Sequence, residues 1–187
     1  LHAEELAYTR DMVDKRLLEF THGRHCARLA MAALDITPEP VRKRPDRSPA
    51  WPAGLVGTIT HTGAHAAAAV AVSSDFVSLG MDMEISEPLE SKTINLIVRP
   101  DEHSANDGAH AKLLFSIKEA IYKCIHPVVH TYVDFQEMEV DLSGAEGSFG
   151  AIPHTNNFDA GLIASLQGRY QITDGLIISC AWMGAKG

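Results

Sequence analysis

The chain has 187 residues, 45% of them hydrophobic, and a mean hydropathy near zero, which suits one compact domain or two small lobes around a sizeable core. Its net charge of -8 and pI near 5.6 argue against non-specific binding to nucleic acid or to an anionic membrane, so any anionic ligand must be held by a local basic cluster. No run approaches the roughly 18 apolar residues needed to span a bilayer, LHAEELAYTR has neither the basic start nor the apolar stretch of a signal peptide, and Cys26, Cys124 and Cys180 form no CxxC pair, so a cytoplasmic protein with reduced cysteines is expected.

Residues 3–18 and 21–34 read as helices, the second because Cys26, Ala27, Leu29, Ala30, Ala33 and Leu34 recur at helical spacing behind a Thr21 cap. Residues 35–54, DITPEPVRKRPDRSPAWPAG, read as a loop with five prolines and four of the sixteen basic residues, a stiff and locally positive segment in an acidic chain. The stretches 66–72 (AAAAVAV) and 76–83 (FVSLGMDM), separated by Ser-Ser-Asp, are expected to pair as a β-hairpin. Helices follow at 88–98 and 111–125 around the polar stretch 100–110, then strands at 135–142, 158–166 and 175–183. Helices then strands, given twice, indicate an α+β chain of two similar lobes, residues 1–87 and 88–187.

Two features carry chemistry. On a strand, side chains at i and i+2 share a face, so Asp82 and Glu84 of GMDME point the same way and need a positive partner. On the 111–125 helix, Leu113, Ile117, Ala120, Ile121 and Cys124 form one face, and Glu119 and Lys123 lie nearly opposite. A solvated Glu-to-Lys pair worth about 0.3 kcal/mol would account for the second feature alone, and an exposed strand end for the first. Three carboxylates converging on oxygen-preferring Mg²⁺ would relieve the repulsion between the two acids.

In this order, RHCARLA, RSPAWPAGLVGTITHTG, GMDME and FSIKEAIYK resemble the 4′-phosphopantetheinyl transferases of the larger type, which activates carrier proteins of siderophore, peptide and polyketide synthesis. The resemblance runs from about residue 18 to 127; beyond 130 only a general pattern of paired strands remains. Thr60 stands where that family generally has Ser before the His, and Met83 sits between the two acids with no role at a metal.

The resemblance implies two α+β lobes forming a pseudo-dimer with the active site at their interface: residues 1–87 with the coenzyme A loop, His61 and the first metal acids, and 88–187 with the Glu119/Lys123 helix. It implies Mg²⁺ on Asp82, Glu84 and Glu119, and coenzyme A as substrate. Glu119 would also take the proton of a carrier-protein serine, which attacks the β-phosphate. Lys123 would contact the pyrophosphate and assist departure of 3′,5′-ADP; Lys118 would be a neighbouring phosphate contact or surface charge; Thr60 and His61 would bind coenzyme A. Arg24, Arg28 and Arg47 would meet its 3′-phosphate and adenine, with Arg42, Lys43 and Arg44 as substitutes.

The implied partners are coenzyme A and an apo acyl, peptidyl or aryl carrier protein, without nucleic acid or membrane, served by a monomer. The carrier is expected to dock on an apolar patch of Tyr122, Ile125 and Val128. His61 with His65 and His126 with His130 have helical spacing but sit at a Gly-containing turn and across Pro127, so they read as no zinc site. Trp51 and Trp182 read as core or interface anchors. Two other functions fit the same residues: a Mg²⁺-dependent phosphohydrolase or nucleotidyl transferase, and a non-catalytic coenzyme A binding module.

Overall fold

A computed structural model describes residues 1–102 and 107–185. The first half comprises α1 (Ala3–Leu6), α2 (Asp14–Ala32), the short strands β1 (Arg42–Lys43) and β2 (Pro49–Ala50), and the longer strands β3 (Leu55–Thr62), β4 (His65–Val72) and β5 (Phe76–Ile85). The second half comprises α3 (Ser91–Ile97), α4 (Gly108–Val129), β6 (Met138–Asp141), β7 (Ser148–Pro153), β8 (Leu166–Thr173) and β9 (Leu176–Gly184), with short 3₁₀ turns at Phe135–Glu137 and Ala160–Ile163.

The sequence-based helices exist but their ends differ. α2 runs straight through Thr21, and the break falls at residues 7–13 instead. α4 starts earlier than expected because the Asp107 side chain accepts the Ala109 N–H at 2.9 Å, and it closes at His130 in the left-handed conformation. It is also buried on most of its circumference rather than along one stripe, with Ser116 bonded to Ser179 of β9 at 3.0 Å.

The expected hairpin of 66–72 with 76–83 does not form. β4 pairs with β3 from Leu55↔Val72 to Thr62↔His65, while β5 pairs with β9 from Phe76↔Gly184 to Ile85↔Leu176. β5 is thus the edge strand of an antiparallel sheet of order β5-β9-β8-β7-β6. The stretch 158–166 is mostly a 3₁₀ turn, and the strands around it are β7 and β8. Because β5 bonds along its length to β9, it belongs with the second half by its ladder, ahead of the boundary expected at residue 87.

What meets the open edge of β5 is the threonine face of β3. The amides of Met81 and Met83, left without ladder partners, donate to the hydroxyls of Thr58 at 3.1 Å and Thr60 at 3.2 Å. On the other side of β3, Leu55 and Ile59 pack with Ala27, Met31 and Val41, which ties the β3–β4 hairpin to α2. The larger core joins α4 to the five-stranded sheet through Ile117, Ile121, Ile177, Ala181 and Met183, all buried. Each such isoleucine or methionine side chain contributes roughly 1.5–3 kcal/mol.

Candidate active site

Gly80 decides how closely strand and helix approach. A β-carbon there would lie 1.9 Å from the Ala120 carbonyl oxygen, so only glycine lets the α4 backbone touch β5. This contact brings the next residues of each element together: Asp82 and Glu84 from β5, Glu119 and Lys123 from α4.

Lys123 turns to Asp82 rather than to Glu119. Its Nζ lies 2.6 Å from Asp82 Oδ1 and 3.5 Å from Thr60 Oγ1. The Asp82 side chain is 5% exposed; Oδ1 also accepts from Thr60 at 3.2 Å, but Oδ2 is buried without a partner. An unsatisfied buried acceptor costs about 1–3 kcal/mol, and here it belongs to a hard carboxylate oxygen near two more acids. Glu84 is bound by Lys112 at 2.5 Å, whose ammonium also lies over the Phe115 ring. Burial holds the Glu119 carboxyl above the usual carboxylate range; Lys123 opposes this, and the nearby charges of Asp82 and Glu84 reinforce it. In donor chemistry Asp82, Glu84 and Glu119 fit a divalent cation of the Mg²⁺ type, with three hard oxygen donors and one free buried lone pair; in this structure Lys123 and Lys112 hold the first two, and the three carboxylates are not drawn into one compact group.

His61 stands at the rim of this group. Arg16 Nη1 lies 2.9 Å from His61 Nε2, and since a guanidinium only donates, Nε2 is the acceptor and the ring is neutral. Burial lowers the His61 pKa, the Glu19 carboxylate 3.7 Å away opposes this, and the charges of Arg16 and Lys123 add to it. A cleft of about 350 Å³ adjoins Lys123, walled by Arg44, Arg47, Trp51, Tyr122 and His126. The indole of Trp51 lies on Gly57, where a β-carbon would come within 2.6 Å of the ring. A smaller, mainly apolar cavity of about 120 Å³ lies beside Glu119, walled by Ile121, Tyr132, Phe135 and Met138, and shares Tyr122 with the cleft.

Other expected site residues sit elsewhere. Arg24 is buried, donates from Nε to the Val41 carbonyl at 3.0 Å and lies 4.2 Å from the Phe20 ring centroid. Its pKa is lowered by burial to about 10. Arg28 binds both oxygens of the fully buried Glu5, at 3.0 and 3.3 Å. Both arginines thus fasten α2 to α1 and to the start of the basic loop rather than lining the cleft, and Arg42 faces Glu4 at 3.9 Å. Arg44 and Arg47 are the loop cations in the cleft wall.

Lys118 is neither phosphate contact nor surface charge. It is 2% exposed and gives its protons to Ile97 O, Phe135 O and Glu102 Oε2, because α4 is buried on that side too. Of the expected docking patch, Ile125 is fully buried, while Tyr122 and Val128 are half-buried, Val128 against the core and Tyr122 against His126 and Tyr132. A further cluster of Asp101, Glu139 and His154 lies outside this group, with Asp101 held by Arg99 and His154 by Glu139.

Arg16, Glu19 and Lys112 were missed by sequence reasoning. Lys112 had a signal, since positions 112, 119 and 123 share a helical face at i, i+7 and i+11. Arg16 and Glu19 had none, as only the packing of α2 against the β3–β4 hairpin brings them to His61.

Comparison with known proteins then defines the class. Residues 3–71 match the family model described as the 4′-phosphopantetheinyl transferase N-terminal domain, and residues 78–173 match the 4′-phosphopantetheinyl transferase superfamily. The chain belongs to the 4′-phosphopantetheinyl transferase superfamily. It is 32% identical over 200 residues to the 4′-phosphopantetheinyl transferase Svp of Streptomyces mobaraensis, covering 99% of this chain and 79% of that one. Identity to Npt of Nocardia iowensis is 32% over 193 residues (95% and 87% covered), and to PptT of Mycobacterium tuberculosis 29% over 188 residues (94% and 83%). No helix of the described residues is long and apolar enough to cross a membrane.

Proposed function

We propose that the chain transfers the 4′-phosphopantetheine arm of coenzyme A to a serine of an apo acyl, peptidyl or aryl carrier protein and releases 3′,5′-ADP, with Asp82, Glu84 and Glu119 holding Mg²⁺. The observation that supports this best is the free, buried Oδ2 of Asp82 beside two further acids and Lys123. When bound, Mg²⁺ neutralises charge on the diphosphate under attack.

Glu119 accepts the proton of the serine hydroxyl, a role suited to a carboxyl whose burial makes it a stronger base than usual. The serine oxygen bonds to the β-phosphorus as the bond from that phosphorus to the ADP oxygen breaks. Lys123, whose ammonium keeps a proton beyond those directed at Asp82 and Thr60, meets the charge that develops on the departing phosphate. Arg44 and Arg47 take the 3′-phosphate and adenosine end in the cleft, and His61 with Arg16 takes a further phosphate oxygen at the rim. The apolar cavity beside Glu119 receives the pantetheine arm.

The same reading treats the molecule as two similar α+β lobes with the site at their junction. Its support is that α2 lies on the β3–β4 hairpin much as α4 lies on β5 and β9. Since one chain supplies every residue named, a monomer suffices.

The test is to incubate the protein with coenzyme A, Mg²⁺ and an apo carrier, and to weigh the carrier by mass spectrometry. A gain of one phosphopantetheine arm is expected. Coenzyme A cleaved with no carrier gaining mass would favour a phosphohydrolase, and coenzyme A bound but intact would favour a binding module.

A further inference from the structure

The family resemblance gives Thr60 to coenzyme A, yet its hydroxyl is already committed. A threonine hydroxyl has one proton to give and two lone pairs with which to receive. Thr60 gives its proton to Asp82 Oδ1 at 3.2 Å, receives the Met83 N–H at 3.2 Å, and has the Lys123 ammonium 3.5 Å from its oxygen. The residue is 3% exposed. A phosphate oxygen requires a donor, and Thr60 has none to spare.

We propose, on the metal reading given above, that Thr60 is a positioning residue: it fixes the plane of the Asp82 carboxylate and leaves Oδ2 free for the divalent cation. With Lys123 and Thr60 both on Oδ1, the carboxylate is pinned through one oxygen, and the other is the buried one without a partner. Groups that orient a metal ligand from behind typically contribute 10- to 100-fold in affinity or activity. The strand that carries Thr60 also supplies its own comparison. Thr58 receives the Met81 N–H at 3.1 Å in the same way, two residues earlier on the same face of β3, but among the described residues it bonds no carboxylate.

Four variants of the full chain test this: Thr60→Val, Thr60→Ser, Thr58→Val and Asp82→Asn. Each is titrated with Mn²⁺ alone and, separately, with coenzyme A in the presence of EDTA, and its melting is recorded. Thr60→Val is expected to bind Mn²⁺ about tenfold more weakly, with coenzyme A affinity in EDTA unchanged. Thr60→Ser restores the metal affinity. Thr58→Val lowers the melting temperature comparably, since it too strands a β5 amide, but keeps the metal affinity. Should the valine variant fail to fold, Thr60→Ala, which admits water in place of the hydroxyl, gives the same comparison with Thr60→Ser.

Loss of coenzyme A affinity in EDTA with normal Mn²⁺ binding would overturn the inference and return Thr60 to the substrate. Normal Mn²⁺ binding in Thr60→Val but not in Asp82→Asn overturns this inference alone. Normal binding in both overturns the metal reading with it.

Discussion

The carbonyl oxygen of Ala120 occupies the space that a β-carbon on Gly80 would need, 1.9 Å away, with the amide of Cys124 at 2.5 Å. Both obstacles are backbone, which no rotamer change can move. Gly80→Ala must therefore push α4 off β5. The expected cost is about 1–3 kcal/mol of stability, seen as a lower midpoint in chemical denaturation. Turnover should fall further than the loss of folded protein explains, because Glu119 and Lys123 move away from Asp82. Wild-type turnover in the folded variant would show that the close contact does not set the site.

Glu119→Gln should separate activity from stability. Loss of a general base lowers kcat by about 10²- to 10⁴-fold, while burial makes the ionised carboxylate a burden on the fold. The folded carboxyl holds its proton to higher pH than the unfolded one. Wild-type stability therefore falls as pH rises from the ordinary carboxylate range through the raised value, and stays lower above it. The glutamine variant lacks this loss and should melt higher than wild type at neutral pH, with the advantage shrinking below the ordinary carboxylate pKa. Melting curves from pH 4 to 8 without metal check the sign.

Lys118 and Glu102 form a pair whose side chains are 1% and 5% exposed. Lys118→Met leaves Glu102 buried and uncompensated, which costs about 3–5 kcal/mol. Lys118→Met together with Glu102→Leu should recover much of that. Coenzyme A affinity of the folded fraction should not change in either variant, since the lysine has no proton free for a phosphate. A rise in KM for coenzyme A in the stable double variant would restore Lys118 to the substrate site.

The arginines divide by their partners. Arg47→Ala and Arg44→Ala should each raise KM for coenzyme A about tenfold, the loss of one charge-assisted contact of about 1.5 kcal/mol, with melting little changed. Arg28→Ala should do the reverse, because it strips the buried Glu5 of its cation. Steady-state kinetics beside thermal melts distinguishes the two groups.

Much of this was readable in the residues and the rest was not, for identifiable reasons. The long helix α4 follows from spacing alone, and spacing puts Asp82 with Glu84 and Glu119 with Lys123; their joint assignment to a metal comes from the family resemblance. β3 escaped notice because its inward side chains are Thr58 and Thr60, whose partners are amides of another strand rather than apolar neighbours. Local turn chemistry favours pairing β5 with its neighbour in sequence, while its actual partner is the last strand of the sheet. Nothing in RHCARLA tells that Arg24 and Arg28 look toward Glu5 and Val41, since those acceptors are set by how α1 and the basic loop fold back on α2.

The pairing of β5 with β9 also bears on synthesis. A ribosome delivers the two acids of GMDME long before residues 176–184 emerge to zip along them, so the nascent chain carries an apolar strand with one whole edge unclaimed. Catalytic competence is therefore a late event in the life of each molecule, gated by closure of its most distant strands, and such non-local closure is slow.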